Sequence, residues 1–455
     1  MTEGNRREQL DDVVRRSMDK WSVPGIAVGV WNAGEQQLRA YGLANLETGY
    51  DMAEDTILQI GSISKIFTTT LLMMLVDEGL IDLDDPVSKH LPGFRLTTSA
   101  TQDQVKMRDL VTHTSGVFGD HFDDFGWGDE ALEKYVESMT DLRQVYEPGT
   151  IWSYTNSAFN LAGYIMEQKL DTSFEQAIRE RIFEPLGLTR SFYFPHEAIT
   201  YRVSVGHTLV DPAGEEHQVA RRWPIPRASG PAGSISSTVE DMLRFARFHM
   251  GDGTWEGKRL LSDASRRLMQ EVHVDNSAMA DAWGLGWQIN FYGDEKVIGH
   301  GGSTNGFQAH LDLAPSHDFA LVVLTNSARG AAAYRQIISR VFQAYPGISR
   351  PDLDAIAVPA KKLEEYVGSY TQPLADITIT VERDGLKLET VAKSALADTD
   401  EDREIPPAHL EPIAVDRFRV TTGAGAGNIV DFIRNDDNSI RFVRVGGRVS
   451  DRVRQ

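Results

Sequence analysis

Leu58-Gln59-Ile60-Gly61-Ser62-Ile63-Ser64-Lys65 leads into a mainly apolar run that continues to Glu78 and stops at Gly79. The run is too continuously apolar for a surface helix, and glycine commonly ends helices, so the pattern predicts a buried helix with Ser62 at its start. Residues three apart share one helix face, which places the amine of Lys65 beside the hydroxyl of Ser62. A neutral amine in that position accepts the serine proton and creates a nucleophile.

The spacing of this serine and lysine is weak evidence by itself, because a serine at a helix start is more often only an N-cap. Ser64 is a second serine, but it lies two positions on and points to a different helix face.

A second motif is the loop from Pro148 to Asn156, Pro-Gly-Thr-Ile-Trp-Ser-Tyr-Thr-Asn, which precedes a predicted helix starting near Ser157. Tyr154 offers a phenol for proton transfer, and Asn156 offers an amide that orients a lysine or a substrate carbonyl. The alternative interpretation is a packed tyrosine and an asparagine helix cap. Alone, that plainer interpretation is favoured.

A third motif, Gly299-His300-Gly301-Gly302-Ser303, lies between two predicted strands. Glycines at a strand edge let a substrate approach closely, and an amide N–H there completes an oxyanion hole. The alternative is an ordinary glycine-rich turn.

Together and in this order, the three motifs resemble those of the penicillin-binding protein and class C β-lactamase superfamily of serine hydrolases. The resemblance covers roughly Val13 to Phe342 and is closest to D-stereospecific aminopeptidases and related β-lactamase-like esterases. It implies an α/β fold, with an antiparallel five-strand-type sheet flanked by helices beside an all-helical region, and the active site between them. Further stretches similar to this superfamily are Leu110 to Gly116, Gly233 to Met242 and Gly284 to Trp287.

The resemblance also implies roles for individual residues. Ser62 attacks, Lys65 and Tyr154 handle its proton, and the N–H groups of Ser62 and Ser303 form the oxyanion hole. The expected catalytic residues are Ser62, Lys65 and Tyr154, and the expected substrate-binding residues are Asn156, His300, Gly302 and Ser303. His300 stands where cephalosporinases of the superfamily have the lysine of Lys-Thr-Gly. Since an imidazole is mostly neutral at pH 7, a β-lactam carboxylate is expected to be held less firmly.

The composition changes at Tyr345-Pro346-Gly347-Ile348-Ser349-Arg350-Pro351, after which short alternating segments predict an all-β unit similar to a lipocalin-like barrel. The expected division is a hydrolase domain over 1–345, a linker over 346–359 and a barrel over 360–455. Such extensions tend to approach the active-site mouth, so we expect this one to restrict large substrates while leaving Ser62 reactive towards small ones.

Composition excludes several kinds of function. The 455 residues include 46 Lys and Arg against 66 Asp and Glu, a formal charge of −20 that disfavours nucleic acid and anionic membranes. The absence of cysteine excludes disulfides and thiolate metal sites. No histidine spacing predicts a metal site, and His196, His207 and His217 are expected to be exposed. The amino terminus lacks an apolar signal segment, which favours a cytoplasmic protein.

The sequence therefore predicts a serine hydrolase that cleaves a small ester or amide, including peptides with D-amino acids, without cofactor or metal. A β-lactamase or D-Ala-D-Ala carboxypeptidase activity is one alternative, and a non-catalytic ligand-sensing homologue is another. The oligomeric state is left open. The aromatic segment Phe118 to Gly128 either forms a rim of the active site or packs on the helical region.

Overall fold

The computed structural model describes residues 3–96, 104–211, 214–223, 225–275, 278–393, 404–423 and 425–453. The chain divides into two units. The first comprises Met1–Ile151, Asn156–Val274 and Ala282–Arg350, and the second comprises Trp152–Thr155, Asp275–Asp281 and Pro351–Gln455.

An antiparallel sheet organises the first unit. In chain order, the strands outside the barrel are β1 Gly25–Asn32, β2 Glu35–Asn45, β3 Tyr50–Asp51, β4 Leu58–Gln59, β5 His207–Leu209, β6 His217–Val219, β7 Ser236–Ser237, β8 Thr254–Trp255, β9 Lys258–Arg259, β10 Val274–Asp275, β11 Ala282–Trp283, β12 Gln288–Tyr292, β13 Glu295–Thr304, β14 Phe307–Ala314 and β15 Phe319–Thr325. Among the described residues, nine of these form one sheet in the order β10-β11-β12-β13-β14-β15-β1-β2-β3. Short edge strands extend it beyond the expected five.

Helices cover both faces of the sheet. They are α1 Glu3–Trp21, α2 Ser64–Asp77, α3 Val87–His90, α4 Met107–Val111, α5 Ala131–Ser138, α6 Ser157–Leu170, α7 Phe174–Ile178, α8 Glu184–Leu186, α9 Pro195–Ala198, α10 Gly230–Gly233, α11 Val239–Met250, α12 Asp263–Met269 and α13 Gly330–Ala344. Side chains of α1 and α13 share a core with one face of β1, and α2 and α11 belong to the core on the other face. All seven residues of β15 are buried as a result, which explains its continuous apolar run.

The predicted buried helix is α2, which begins at Ser64, directly after the 3-10 turn Gly61–Ile63. Ser62 therefore lies in that turn, two residues before the α-helix that the sequence pattern predicts to start with it. Every residue from Ser64 to Leu75 is buried. Because α2 is surrounded by other elements, its polar residues near Ser62 face protein groups rather than water, and this environment defines the site described below.

The second unit contains a closed antiparallel barrel. Its strands are β16 Gly368–Gln372, β17 Ala375–Glu382, β18 Gly385–Ala392, β19 Glu404–Ala414, β20 Arg417–Val420, β21 Ile429–Arg434, β22 Ile440–Val445 and β23 Arg448–Arg452, with the short helix α14 at Ala360–Leu363. Each described strand pairs with the next, and β16 pairs with β23 to close the barrel. Alternate side chains such as Ile377 and Ile379 fill its interior. The predicted fold class, an antiparallel α/β domain followed by an all-β barrel, is confirmed.

Within the described part of the chain, the structure has no helix of sufficient length and apolarity to span a bilayer.

Candidate active site

Ser62 and Lys65 meet at the start of α2, as their spacing predicts. The Nζ atom of Lys65 lies 3.2 Å from the Oγ atom of Ser62. Lys65 is fully buried, and its Nζ atom also donates to the side-chain oxygen of Asn156 and to the carbonyl oxygen of Ala232, each at 2.6 Å. Three oxygen atoms from three separate parts of the chain therefore hold the lysine nitrogen in place.

Asp120 sets the orientation of the Asn156 amide. The Nδ2 atom of Asn156 donates to the Oδ1 atom of Asp120 at 2.8 Å. With its NH₂ group facing Asp120, the Asn156 amide turns its oxygen towards Lys65. The backbone of Asn156 is fixed as well, because its N–H donates to the carbonyl oxygen of Gly119 at 2.9 Å.

This arrangement suits transfer of a proton from Ser62 to Lys65. A neutral amine has two N–H donors and one lone pair. The oxygens of Asn156 and Ala232 accept the two N–H groups, which directs the lone pair towards the Ser62 hydroxyl. After transfer, the third N–H of the ammonium faces the serine oxygen. Both protonation states of the lysine thus fit the same three neighbours.

Ser64, the other serine of the motif, has a structural role. It is fully buried, its hydroxyl donates to the carbonyl oxygen of Gly61 at 2.7 Å, and it accepts the N–H of Ile235 at 3.1 Å. These bonds tie the turn before α2 to the segment that follows α10.

The glycine-rich strand β13 crosses the Ser62 turn at very close range. A Cβ atom placed on Gly302 would lie 1.8 Å from the carbonyl oxygen of Ile60 and 3.2 Å from the backbone nitrogen of Ser62. A Cβ atom placed on Gly61, whose φ is +52°, would lie 2.7 Å from the backbone nitrogen of Ser303. The backbone nitrogens of Ser62 and Ser303 therefore border the same glycine crossing, and only residues without a Cβ atom permit it.

His300 is buried on the same strand and is neutral. Its Nδ1 atom donates to the carbonyl oxygen of Gly301 at 2.5 Å, and its ring meets that of Trp283 edge-on. Burial, together with the charge that Lys65 carries in its ammonium form, lowers the pKa of His300 to about 3. No fixed cation occupies this position at neutral pH, in keeping with the substitution of histidine for lysine in the motif.

Tyr154 belongs to the second unit. Its N–H donates to the carbonyl oxygen of Gly447 at 2.8 Å, and the guanidinium of Arg448 lies 4.7 Å from the centre of its ring. The structure thus brings Ser62, Lys65 and Asn156 together in the first unit, with Gly302 and Ser303 at the crossing and His300 on the same strand.

Sequence reasoning missed three contributors to the site. Gly61 could have been found from the sequence, because it directly precedes the candidate nucleophile Ser62. Asp120 lies in the aromatic segment Phe118 to Gly128 but was not singled out there. The carbonyl of Ala232 had no signal, because every residue type carries one.

The aromatic segment itself has mixed contacts. Phe125 lies against the rings of His121 and Tyr135, which is packing on the helical region. Phe122 and Trp127 remain about half exposed, at 47% and 50%. Because Asp120 also contacts Asn156, the segment both packs on the helices and contributes to the site.

The expectation that the histidines of the polar region are exposed is correct for His196 and wrong for the other two. His217 is half-buried, with its Nε2 atom 2.8 Å from the Oγ atom of Ser327, and His207 departs furthest. This side chain is fully buried, its Nδ1 atom donates to the carbonyl oxygen of Asn326, and its Nε2 atom accepts the N–H of Leu46. Burial lowers its pKa. Both ring nitrogens are satisfied by backbone groups distant in sequence, which a local polar composition does not reveal. No cluster of three potential metal ligands occurs among the described side chains.

The contact between Ser62 and Lys65 lies at the start of the buried helix α2, where the glycine-rich strand β13 of the antiparallel sheet crosses it. The family model described as Beta-lactamase matches residues 10–345. The chain belongs to this family of serine hydrolases, within the superfamily of penicillin-binding proteins and class C β-lactamases.

Relatives and solved structures agree with this assignment. Penicillin-binding protein 4 of Amycolatopsis lactamdurans is 33% identical over 369 residues, covering 80% of this chain and 94% of that protein. Protein flp of Staphylococcus aureus (strain NCTC 8325 / PS 47) is 24% identical over 329 residues, covering 70% of this chain but only 63% of that protein.

Two solved structures show the same fold. The crystal structure of SurE has a TM-score of 0.78 at 22% identity, covering 99% of this chain and 100% of SurE, and SurE has also been solved with D-Leu. The β-lactamase/D-alanine carboxypeptidase from Pseudomonas syringae has a TM-score of 0.64 at 21% identity, covering 74% of this chain and 99% of that one.

Proposed function

We propose that this protein cleaves a small ester or amide through an acyl-enzyme on Ser62. The observation that carries the proposal is the contact of 3.2 Å between the buried Lys65 nitrogen and the Ser62 oxygen, with two fixed acceptors holding the other side of the amine. A serine that serves only as a helix cap does not need a lysine beside it. Burying a lysine away from water costs free energy, so its burial against this serine supports a functional role.

In the proposed reaction, the Ser62 oxygen bonds to the substrate carbonyl carbon while its proton passes to Lys65. The N–H groups of Ser62 and Ser303 stabilise the oxyanion, by analogy with the family. The leaving group departs with a proton, and the family resemblance assigns Tyr154 a share in that transfer. Water then attacks the acyl-serine, and the Ser62 oxygen regains its proton.

The substrates to test first are peptides, esters or amides that contain a D-amino acid. Support comes from the resemblance of the three motifs to D-stereospecific aminopeptidases and from the SurE structure with D-Leu. A neutral His300 suits a substrate without a carboxylate beside the scissile bond.

A β-lactamase or D-Ala-D-Ala carboxypeptidase activity is the second candidate, favoured by the match to the Beta-lactamase family model and by the fold shared with the β-lactamase/D-alanine carboxypeptidase from Pseudomonas syringae. His300→Lys tests whether the histidine at this position is what disfavours a β-lactam. If residue 300 faces a substrate carboxylate, this variant raises the rate with nitrocefin relative to that with a neutral ester. If the rates with nitrocefin and with the neutral ester change in parallel, residue 300 does not recognise the carboxylate.

The proposal is tested with a fluorophosphonate probe and a substrate panel. The wild-type protein should be labelled and Ser62→Ala should not. One preparation is then assayed with p-nitrophenyl esters, D- and L-amino-acid anilides and nitrocefin. Unchanged labelling of Ser62→Ala would show that Ser62 is not the nucleophile. A wild-type protein that is neither labelled nor active would favour a non-catalytic, ligand-sensing homologue.

A further inference from the structure

The segment that carries Tyr154 is bonded residue by residue to the barrel hairpin formed by Arg444–Val449, which joins β22 to β23. The carbonyl oxygen of Trp152 accepts from the Nη1 atom of Arg444 at 2.7 Å. The hydroxyl of Ser153 accepts the N–H of Val449 at 3.2 Å. The N–H of Tyr154 donates to the carbonyl oxygen of Gly447 at 2.8 Å. Three consecutive residues are thus held by one hairpin.

Arg444 is itself fixed, so its hold on Trp152 is rigid. Its guanidinium forms a two-pronged ion pair with Asp431, with one prong of 2.8 Å between Nε and Oδ1 and the second between Nη2 and Oδ2. The side chains of both partners are at least nine-tenths buried. A bidentate pair sets the plane of the guanidinium, which leaves Nη1 directed at the Trp152 carbonyl.

Arg448 acts on the tyrosine ring. Its guanidinium carbon lies 4.7 Å from the ring centre of Tyr154, within the range of a cation–π contact. Its Nη1 atom donates to the carbonyl oxygen of Gly446 at 2.8 Å, so the guanidinium is anchored to its own hairpin. The ring is therefore held from the barrel as well as the backbone beneath it.

We propose that the Arg444–Val449 hairpin is the positioning element for Tyr154, with Arg444 and Arg448 as positioning residues for the reaction. The assignment rests on the proposed function, in which Tyr154 moves a proton and therefore needs a defined orientation. Within the second unit, it gives the barrel the role of holding Tyr154.

Arg448→Met tests the proposal, because methionine keeps an apolar chain on the ring and removes the cation. We expect kcat for a small ester to fall about 5- to 30-fold with KM little changed, the range that a lost cation–π contact gives. Arg448→Lys keeps a cation and should restore most of the rate. Arg441→Met is the matched control, since Arg441 lies on β22, is exposed and has its guanidinium over Phe442.

A double-mutant cycle separates positioning from other roles. In a Tyr154→Phe background, Arg448→Met should cost nothing further in the rate of Ser62 labelling by the fluorophosphonate, because the phenol that it positions is gone. Ser153→Ala, which loses the hydrogen bond from Val449, should behave in the same way and serves if Arg448→Met folds poorly in a thermal melt.

Three results would overturn the proposal. One is an unchanged kcat in both Arg448→Met and Ser153→Ala. Another is an equal loss of rate in the presence and absence of the Tyr154 hydroxyl, which would show that Arg448 acts on something else. The third is full activity of Tyr154→Phe. Failure of the proposed function is seen separately, as labelling and turnover that survive Ser62→Ala.

Discussion

Replacing Gly302 with alanine should damage the proposed oxyanion hole without changing any of the proposed reactive side chains. The new Cβ atom would lie 1.8 Å from the Ile60 carbonyl oxygen and 2.8 Å from the Ile60 carbonyl carbon, whereas ordinary contacts span 3.4–4 Å. Both neighbours are backbone atoms, which have no rotamer to change. Strand β13 must therefore move away from the Ser62 turn by roughly 1.5 Å to restore an ordinary contact, taking the N–H of Ser303 with it.

The size of the effect follows from that displacement. Loss of one oxyanion donor lowers kcat by about 10²- to 10³-fold, and a misplacement of about 1 Å costs about 10²-fold. We expect Gly302→Ala to lower kcat for the best ester of the panel by about 100- to 1,000-fold, with a smaller change in KM. Steady-state rates with matched thermal melts measure it.

Gly301→Ala is the matched control, because it makes the same substitution one residue away on the opposite face of β13. Its Cβ atom would lie 3.4 Å from the Nδ1 atom of His310 and farther from the other near neighbours. We expect its kcat to stay within about threefold of wild type. Activity of Gly302→Ala within tenfold of wild type, in a protein that melts normally, would refute the placement of the oxyanion hole at this crossing.

Further predictions concern the other polar side chains of the site. Ser62→Ala and Lys65→Ala should each remove most turnover, and the double variant should be little worse than either, whereas losses that multiply would contradict a single functional unit. Asp120→Ala should lower kcat about 10- to 100-fold, since a charge-assisted hydrogen bond to the Asn156 amide is lost; Asp123→Ala, with a side chain 73% exposed, should not. A pKa of about 3 keeps His300 deprotonated from pH 5 to 8. His300→Gln should therefore leave the inflections of the pH profile of kcat/KM in that range unchanged. A shifted inflection would show that His300 titrates there.

Local patterns sufficed for much of the fold and for the contact between Ser62 and Lys65. The buried helix α2 follows from its continuous apolar run, and the contact between Ser62 and Lys65 follows from the helical period. The all-β nature of the carboxy-terminal unit follows from alternation. The closure of that barrel does not, because the pairing of Tyr370 with Arg452 joins strands distant along the chain.

The sequence by itself pointed to Ser62 and Lys65 as candidates for the proposed chemistry, because a serine, a lysine and the helical period between them are local properties. Tertiary structure alone decided what holds those side chains. Asn156 reaches Lys65 across 91 residues, Asp120 reaches Asn156 across 36, and Arg444 reaches Trp152 across 292. No spacing rule covers such distances, and partners such as the Ala232 carbonyl are common to every residue. The orientation of the lysine and the support of Tyr154 arise only when the folded chain brings these backbone and charged groups together.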